Sequence, residues 1–450
     1  MLKSNINETI VALSTSSMGL GAISIVRLSG DKSIEIADKL FTSLSGKKPN
    51  QFTARTMELG TLSTQDIKDN CLCVVFKAPN SFTGENLVEF QTHGGTKIAE
   101  NIIKECINCG ARMAGNGEFT KRAFLNGKMT LASAEGMMDM INAESEAEIR
   151  AGYSLLGGEL NELANSSQKE LTDILSEIEV SFDYPEEQIE YITKTNAKSR
   201  LQTISNNINT VLECSKNSGI IKNGIKVLIL GKPNVGKSSL LNKLIGKERA
   251  IVTDIPGTTR DSIEDTFTIN GVKFIIIDTA GIREASDKVE QIGVDKAKEQ
   301  INAADIILFV QDASRPYDAE DQSILNLIKD KNYIVIKNKA DLINETEIKD
   351  LAISAATGAG IDILKDTLYN KSVKSKINTN GLIITSQRHY DCLQRAKEHL
   401  DQAISNIDND TLDLITIDLN LAYSCLGEIT GNTTGEDIID AIFSKFCLGK

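Results

Sequence analysis

Residues 231–238 read Gly231-Lys232-Pro233-Asn234-Val235-Gly236-Lys237-Ser238, the G-x-x-x-x-G-K-S spacing that cradles phosphate. Glycines there let backbone N–H groups curl around phosphate oxygens at a helix N-terminus. Lys237 would reach the β- and γ-phosphates, and the Ser238 hydroxyl would take a place on Mg2+. Further on, Asp278-Thr279-Ala280-Gly281 can address the magnesium shell with a carboxylate and the γ-phosphate with a glycine N–H. Asn338-Lys339-Ala340-Asp341 brings a carboxylate able to accept two hydrogen bonds, from guanine's ring N–H and its amino group. Adenine offers no such pair at that edge, and a buried carboxylate left unpaired is costly. Ser354-Ala355 stands where such domains lay backbone against the guanine oxygen. Each alone is an ordinary turn. In this order, each at the end of an apolar run, they specify GTP.

Those runs are the elements that must hold the motifs. Val227–Leu230 precedes the phosphate loop, and Leu240, Leu241 and Leu244 follow it at helical spacing. Phe274–Ile277 and Tyr333–Ile336 lead into the two acidic motifs. Strands alternating with helices predict a Ras-like α/β domain with a mostly parallel sheet. The six prolines are Pro49, Pro79, Pro185, Pro233, Pro256 and Pro316, so 186–232 and 317–450 are free to form long helices. Helical spacing recurs at Leu160, Leu163, Leu171, Ile174, Leu175 and Ile178, then at Leu201, Ile204, Ile208 and Leu212. It returns at Leu393, Ala396, Leu400 and Ile404 and from Leu412 to Leu426. Helical segments therefore flank the GTP domain on both sides, as one bundle interrupted by it would. Asn217-Ser218-Gly219 and Asn378-Thr379-Asn380-Gly381 read as hinges. Residues 1 to about 120 carry shorter runs, Ala22–Leu28, Leu72–Phe76 and Leu87–Phe90, broken by Gly, Ser and Thr: an α+β pattern.

Composition limits the function classes. With 450 residues, 41% hydrophobic and 25% charged, the chain reads as a soluble globular protein of several domains. It has no run of about 18 apolar residues, and Met1-Leu2-Lys3-Ser4-Asn5 lacks the core of a signal peptide, so no membrane association is expected. Eight scattered cysteines imply a reducing cytoplasm rather than a disulfide framework. A net charge of −13 argues against broad nucleic-acid binding, yet leaves room for a local patch reading a folded RNA.

Phosphate cleavage needs another ingredient. Ras-like enzymes orient the attacking water with a glutamine directly after Asp-x-x-Gly, but here that residue is Ile282. Asn234 could hold a cation beside the phosphates, or merely stabilise its loop. Glu290 could orient water, although the residues alone favour a solvated helix face.

Motifs beyond these mark a family. Ile25-Val26-Arg27-Leu28-Ser29-Gly30, Ser81-Phe82-Thr83-Gly84-Glu85-Asn86, His93-Gly94-Gly95 and Gly117-Glu118-Phe119-Thr120 fall in the first third. Arg122-Ala123-Phe124-Leu125-Asn126-Gly127-Lys128, Gly257-Thr258-Thr259-Arg260-Asp261 and the terminal Phe446-Cys447-Leu448-Gly449-Lys450 complete the set. The chain resembles, over essentially its whole length, the MnmE (TrmE) family of bacterial tRNA-modification GTPases, in which a hydrophobic residue replaces the catalytic glutamine. The resemblance implies an N-terminal folate-binding and dimerisation domain (1–122). A helical domain in two parts (123–217 and 377–450) would enclose the GTP-binding domain (218–376). It implies a homodimer that joins an FAD- and NADH-using MnmG-type protein in a heterotetramer. Together they would add an aminomethyl or carboxymethylaminomethyl group at carbon-5 of the wobble uridine of certain tRNAs. A 5-formyltetrahydrofolate-type donor, GTP, Mg2+ and K+ are the implied cofactors.

By resemblance the nucleotide set is Asn234, Val235, Gly236, Lys237, Ser238 and Ser239; Thr253, Asp254, Ile255, Pro256, Gly257, Thr258 and Thr259; Asp278, Thr279, Ala280 and Gly281; Asn338, Lys339, Ala340 and Asp341; and Ser354, Ala355 and Ala356. Ser238 and Thr259 would ligate Mg2+, and Asn234, Thr253, Ile255 and Thr258 would ligate K+. Glu290 becomes the water-orienting residue, reversing what the residues alone favour. Potassium would accompany pairing of two GTP domains, so that hydrolysis drives an opening and closing cycle. Folate residues carry over as Arg27, Glu89, Lys128 and Lys450. A carboxylate such as Glu89 suits the pterin's amino and ring N–H groups, and the cations suit its oxygens. Cys447 is the implied reactive residue, on a tail that is small and mobile, with Lys450 favouring its thiolate.

Other features read as structural. Cys106 and Cys109 have redox spacing but no second pair. His93 lacks a base or nucleophile partner in the sequence, so a turn role is expected, and Asp183, Glu186, Glu187 and Glu190 read as a solvated face. Three departures from the family pattern stand out: Met18-Gly19-Leu20-Gly21-Ala22 is neither basic nor richly glycine, Ala356 stands where lysine is common, and Leu448 replaces isoleucine. Two alternatives remain at this stage. One is a ribosome-assembly GTPase switch without modification chemistry, which would want a basic RNA-binding appendage. The other is a folate-dependent aminomethyl transferase acting on a small molecule or a protein.

Overall fold

The computed structural model describes residues 8–15, 21–183, 187–216, 218–246, 265–277, 299–343, 351–374, 382–408 and 411–449, and only the backbone of 181–183 and 187–193. Among them, no helix is long and apolar enough to cross a membrane. The chain divides into two compact units, one drawn from residues 1–138, 155–193 and 410–450, the other from 139–154 and 194–409.

The first unit is built on a seven-stranded sheet. Its strands are β1 (Ile10–Leu13), β2 (Ile23–Ser29), β3 (Phe41–Ser43), β4 (Met57–Ser63), β5 (Lys68–Phe76), β6 (Leu87–His93) and β7 (Arg112–Met113), in the order β3-β4-β5-β6-β2-β1-β7. All pairings are antiparallel except β1 with β7. The three short apolar runs of the sequence became β2, β5 and β6. Side chains alternate across a strand, so Val26, Leu28, Val88 and Phe90 enter the core with Cys71, Cys73 and Ile102. Arg27 and Glu89, one residue out of phase, are half-buried on the other face, and the β2–β6 register sets them directly opposite each other. In the same unit the long helix Glu159–Asp183 packs against the helix Leu412–Thr430. Leu160, Ala164, Leu171 and Ile174 are buried on one, Leu419, Ala422 and Leu426 on the other. Leu160, Leu171 and Ile174, and the stretch from Leu412 to Leu426, carried the spacing that predicted bundle helices; Ala164 is buried where the spacing named its neighbour Leu163, which is half-buried.

The second unit carries a six-stranded sheet in the order β13-β12-β11-β8-β10-β9. The strands are β8 (Ile225–Leu230), β9 (Asp265–Ile269), β10 (Val272–Ile276), β11 (Ile306–Asp312), β12 (Tyr333–Asn338) and β13 (Leu351–Ala352). The sheet is parallel apart from the β9–β10 pairing. Central β11 is buried along its whole length, as expected of a parallel strand covered on both faces. From Lys194 onward the helix ending at Ser215 is tied to the helix Gln387–Asn406 and the segment before it. Ser205 Oγ donates to Asp401 Oδ1 (2.6 Å), and the Ile384 N–H donates to Ser215 Oγ (2.9 Å). Ser218 and Gly219, expected in a hinge, instead lead into the short helix Gly219–Asn223. The other expected hinge, Asn378–Gly381, and Glu186 of the acidic run lie outside the described residues, as do the side chains of Asp183, Glu187 and Glu190.

Candidate functional site

In the second unit the phosphate loop leaves the carboxyl end of β8 and enters the helix Lys237–Ile245. Val235 is buried (2% exposed) and plugs the loop into the sheet below, while Asn234, Ser238 and Ser239 are exposed at the helix N-terminus. That end presents backbone N–H groups with no intrahelical acceptor and the positive end of the helix dipole, which together favour phosphate. Gly236 must be glycine twice over: its φ is +93°, and a Cβ there would stand 2.2 Å from the Asn338 amide nitrogen. Lys237 folds back over its own loop and donates to the carbonyls of Gly231 (2.7 Å) and Lys232 (2.8 Å). Burial lowers the pKa of its ammonium, so an anion at the loop mouth would stabilise the charged form.

One side chain joins three motifs. The buried amide of Asn338, at the end of β12, donates to the Val235 carbonyl (2.8 Å) and accepts from the Ala355 N–H (2.9 Å). Lys339 follows in the left-handed region with φ 65°. Its Nζ lies 2.6 Å from Asp312 Oδ2. Ala340 donates its N–H to the Ile353 carbonyl (3.0 Å), and Asp341 is exposed on the short 3-10 helix Ala340–Leu342. Ser354 and Ala355 are buried; Ala356 is exposed. The phosphate loop, the Asn338–Asp341 motif and Ser354–Ala356 thus meet at the carboxyl edge of one parallel sheet, where such folds bind ligands. Exposed oxygens of Ser238 and Asn234 are the hard donors that Mg2+ and K+ prefer. No cluster of His, Cys, Asp and Glu makes a metal site among the described residues. Thr253–Thr259, Asp278–Gly281 and Glu290 lie outside the described residues. Sequence reasoning missed Asp312 and a clamp in which Lys232 pairs with Asp318 and, at 2.9 Å, with Asp321. The signal for Asp312 was present as a carboxylate closing the apolar run of β11.

A second candidate site lies in the first unit. Arg27 donates from Nε to Glu89 Oε1 (2.8 Å), and its Nη2 is 2.7 Å from the same oxygen. The guanidinium also lies 5.5 Å from the Phe82 ring centre and 5.7 Å from that of Phe119. Phe119 is fully buried beneath this spot and Phe82 is half-buried, so the two folate candidates form one charged spot whose open groups, the Arg27–Glu89 pair and the Phe82 ring, can meet a flat heterocycle by hydrogen bonding and stacking. Lys128 is exposed just beyond the helix Glu118–Leu125. Lys450 lies outside the described residues.

That helix is held by charges the sequence did not flag as a group. Arg122, 2% exposed, reaches Glu85 (3.0 Å) and Glu118 (2.9 Å) and donates to the Glu8 carbonyl (2.8 Å). Arg112 meets Glu118 at 2.6 Å and Glu8 at 2.7 Å. Burial pushes the Glu118 carboxyl up, but hydrogen bonds from Arg112, the Gly115 N–H and Arg122 outweigh it and hold its pKa at about 2.

The C-terminal tail departs from expectation. It is anchored rather than mobile. Phe446 is buried, its ring 5.1 Å from that of Phe443. The Gly117 N–H donates to the Cys447 carbonyl (3.3 Å), Leu448 bridges to Asn116, and Ser14 Oγ donates to the Gly449 carbonyl (3.1 Å). Gly449 has φ +89°, and a Cβ there would stand 2.0 Å from the Leu13 carbonyl oxygen. Two aromatic anchors and a short β-bridge overcome the flexibility its small residues suggest. Cys447 keeps its side chain exposed, beside the Gly117 turn that starts the Phe119 helix.

His93 also departs. Its Nδ1 is 2.6 Å from Asp69 Oδ1, and its backbone N–H donates to Oδ2 (3.0 Å), so the partner invisible in the sequence comes from the neighbouring strand. Cys106 is a fully buried thiol whose pKa burial drives upward, and Cys109 caps the helix Thr96–Asn108, in keeping with a structural role.

Two family models match the chain: "GTP-binding protein TrmE N-terminus" over residues 9–128 and "MnmE helical domain" over residues 131–447. Among curated proteins, the chain is 40% identical over 458 residues to tRNA modification GTPase MnmE of Clostridioides difficile (strain 630), covering 99% of this chain and 100% of that protein. The MnmE of Acetivibrio thermocellus is 40% identical over 459 residues, covering 98% and 99%. Among solved structures, a variant of Era from Aquifex aeolicus bound to GDP and AlF4− is 29% identical, covering 39% of this chain and 66% of that chain at a TM-score of 0.27. The G domain of the FeoB iron transporter from T. maritima is 26% identical, covering 33% and 98% at a TM-score of 0.24.

Proposed function

The chain belongs to the MnmE family of tRNA modification GTPases and is a GTP hydrolase acting in tRNA modification, and on that premise we propose how its two sites divide the work. GTP binds at the β8–β12 edge. Lys237 meets the β- and γ-phosphates, Asp341 reads the guanine edge, and the Ala355 backbone faces the guanine oxygen. Ser238 and Thr259 hold Mg2+; Asn234 with Thr253, Ile255 and Thr258 holds K+. Glu290 orients the attacking water. The single observation that carries this reading is the Asn338 amide, which locks the phosphate loop to the base-reading loops through two buried hydrogen bonds.

The first unit would receive the one-carbon donor, a tetrahydrofolate such as 5-formyltetrahydrofolate. Glu89 would pair with the pterin's amino and ring N–H groups, and Arg27, Lys128 and Lys450 with its oxygens. Support comes from the Arg27–Glu89 pair, whose guanidinium lies over the Phe82 and Phe119 rings, with the Cys447 tail docked at the start of the Phe119 helix. Cys447 acts at the reacting centre. The protein works in the cytoplasm as a homodimer with an MnmG-type FAD protein, placing an aminomethyl or carboxymethylaminomethyl group at carbon-5 of wobble uridine. We assign residues 1–122 to the folate-binding domain, 123–217 and 377–450 to the helical domain and 218–376 to the GTP domain.

The test is nucleoside mass spectrometry of tRNA from a strain lacking the gene, complemented with wild type, Cys447→Ser or Glu290→Ala. Restoration by wild type alone is expected. Wobble modification that persists without the gene would remove the tRNA chemistry from this reading. GTP turnover in K+ against Na+ tests the cation, with faster turnover expected in K+.

A further inference from the structure

Asp312 closes β11 with a side chain that is only 3% exposed. A buried carboxylate must be paired, and this one is. Oδ2 lies 2.6 Å from Lys339 Nζ, and Arg315 Nε is 3.5 Å from it. Oδ1 accepts from the Ser314 N–H (3.0 Å) and the Ser314 hydroxyl (2.6 Å). Burial alone would push the carboxyl's pKa up, but Lys339 and Ser314 hold it below the ordinary carboxylate range. The β11–β12 register sets Asp312 opposite Asn338, and the next residue, Ala313, donates its N–H to the Asn338 carbonyl (2.8 Å). Lys339 in turn sits in the left-handed region, which a residue with a long side chain adopts only when its surroundings impose it. Left-handed backbone and a buried acid therefore converge on one ammonium, two residues before the base-reading Asp341.

We propose that Asp312 is a positioning residue for guanine-nucleotide retention: by holding the Lys339 ammonium, it fixes that side chain's methylene stem as one wall of the base slot. A lysine stem is apolar along its length and can cover a purine face while its head stays paired. The proposal rests on the nucleotide site described above. A different role is open to the same carboxylate, that of capping its own turn through Ser314. The two roles predict different variants.

The experiment is release of a fluorescent GDP from the full chain, followed by stopped flow, with melting of each nucleotide-free variant measured alongside. Asp312→Asn should speed release about tenfold, equivalent to about 1.4 kcal/mol. Lys339→Met should do the same. The double variant should be no faster than Lys339→Met, because the two side chains act as one unit. Ser314→Ala, which spares the contact to Lys339, should lower the melting temperature yet release GDP within about twofold of wild type. Release at the wild-type rate from Asp312→Asn, additive effects in the double variant, or a Ser314→Ala rate matching Asp312→Asn would each overturn the proposal. Should Asp312→Asn fail to fold, Lys339→Met decides: wild-type release from it also overturns the proposal. If wild type itself fails to bind GDP, the nucleotide site falls, and Asp312's role with it. Binding by wild type with unchanged variants removes the role of Asp312 alone.

Discussion

The nucleotide edge of the second unit and the Arg27 spot of the first are assembled in opposite ways. At the nucleotide edge, each described motif is contiguous and follows the carboxyl end of a parallel strand: the phosphate loop after β8, Asn338–Asp341 at β12 and Ser354–Ala356 after β13. Parallel order brings those ends to one edge, so short motifs meet without long-range invention. The Arg27 spot draws single residues from positions 27, 82, 89 and 119, brought together by antiparallel register and by the packing of the Phe119 helix. A contiguous site reports itself in the sequence. A dispersed one does not, and it depends on the stability of its whole unit.

The sharpest way to break that contrast is Arg122→Ala. It strips the guanidinium from Glu85, which keeps only the Ser29 hydroxyl, and leaves Glu118 to Arg112, a change that costs about 3 kcal/mol, the low end for a broken buried pair. Denaturant unfolding should show that loss in the first unit, with GTP turnover per folded molecule unchanged. Turnover falling in parallel would mean that the two sites are not independent. Asn338→Ala is the matching lesion at the nucleotide edge. It removes two buried hydrogen bonds and should weaken GTP binding by about 2–3 kcal/mol in a titration, with little effect on the first unit's unfolding.

Smaller effects sharpen the comparison. Gly449→Ala places a Cβ against the Leu13 carbonyl at a left-handed residue, at a cost of about 1–2 kcal/mol to tail docking. Hydrogen exchange should then quicken at the Gly117 amide, which donates to Cys447, while amides in β8 and β11 keep their protection. The mildest lever is pH. Glu118 has its pKa depressed to about 2 from an ordinary 4.5, so its stabilising contribution is complete above about pH 4.5 and is lost as pH falls through about 2. Glu118→Gln should flatten the stability profile in that window and leave the profile above it unchanged in shape.

Legibility followed the range of the interactions. The short apolar runs of β2 and β6 and the helical stripes were readable because a buried strand or helix face must gather apolar residues within a few positions, whereas the alternation along the strands emerged only in the fold. Glu89 was legible as a carboxylate but not as the partner of Arg27, since pairing across strands depends on register. His93 shows the same limit: with Asp69 on the next strand, its neighbour cannot be found by scanning the residues around it. The tail misled for a related reason. Cys447, Leu448 and Gly449 are small and suggest mobility, yet their anchorage comes from Phe443, Phe446 and the Leu13–Ser14 and Asn116–Gly117 segments.

What could be read from residue order was therefore the nucleotide chemistry, the α/β alternation around it and the helical flanks. Each is encoded within a few neighbouring residues, where backbone geometry makes spacing equivalent to position. Folding alone brought Asn338 between Val235 and Ala355, set Asp312 under Lys339, wrapped Arg122 in carboxylates and seated the C-terminal tail. Apart from the i,i+4 contact of Arg122 with Glu118, all of these pair groups distant along the chain. Such contacts exist only once burial has fixed strand register and removed water from between the partners, which is when a hydrogen bond or a charge acquires its directional worth.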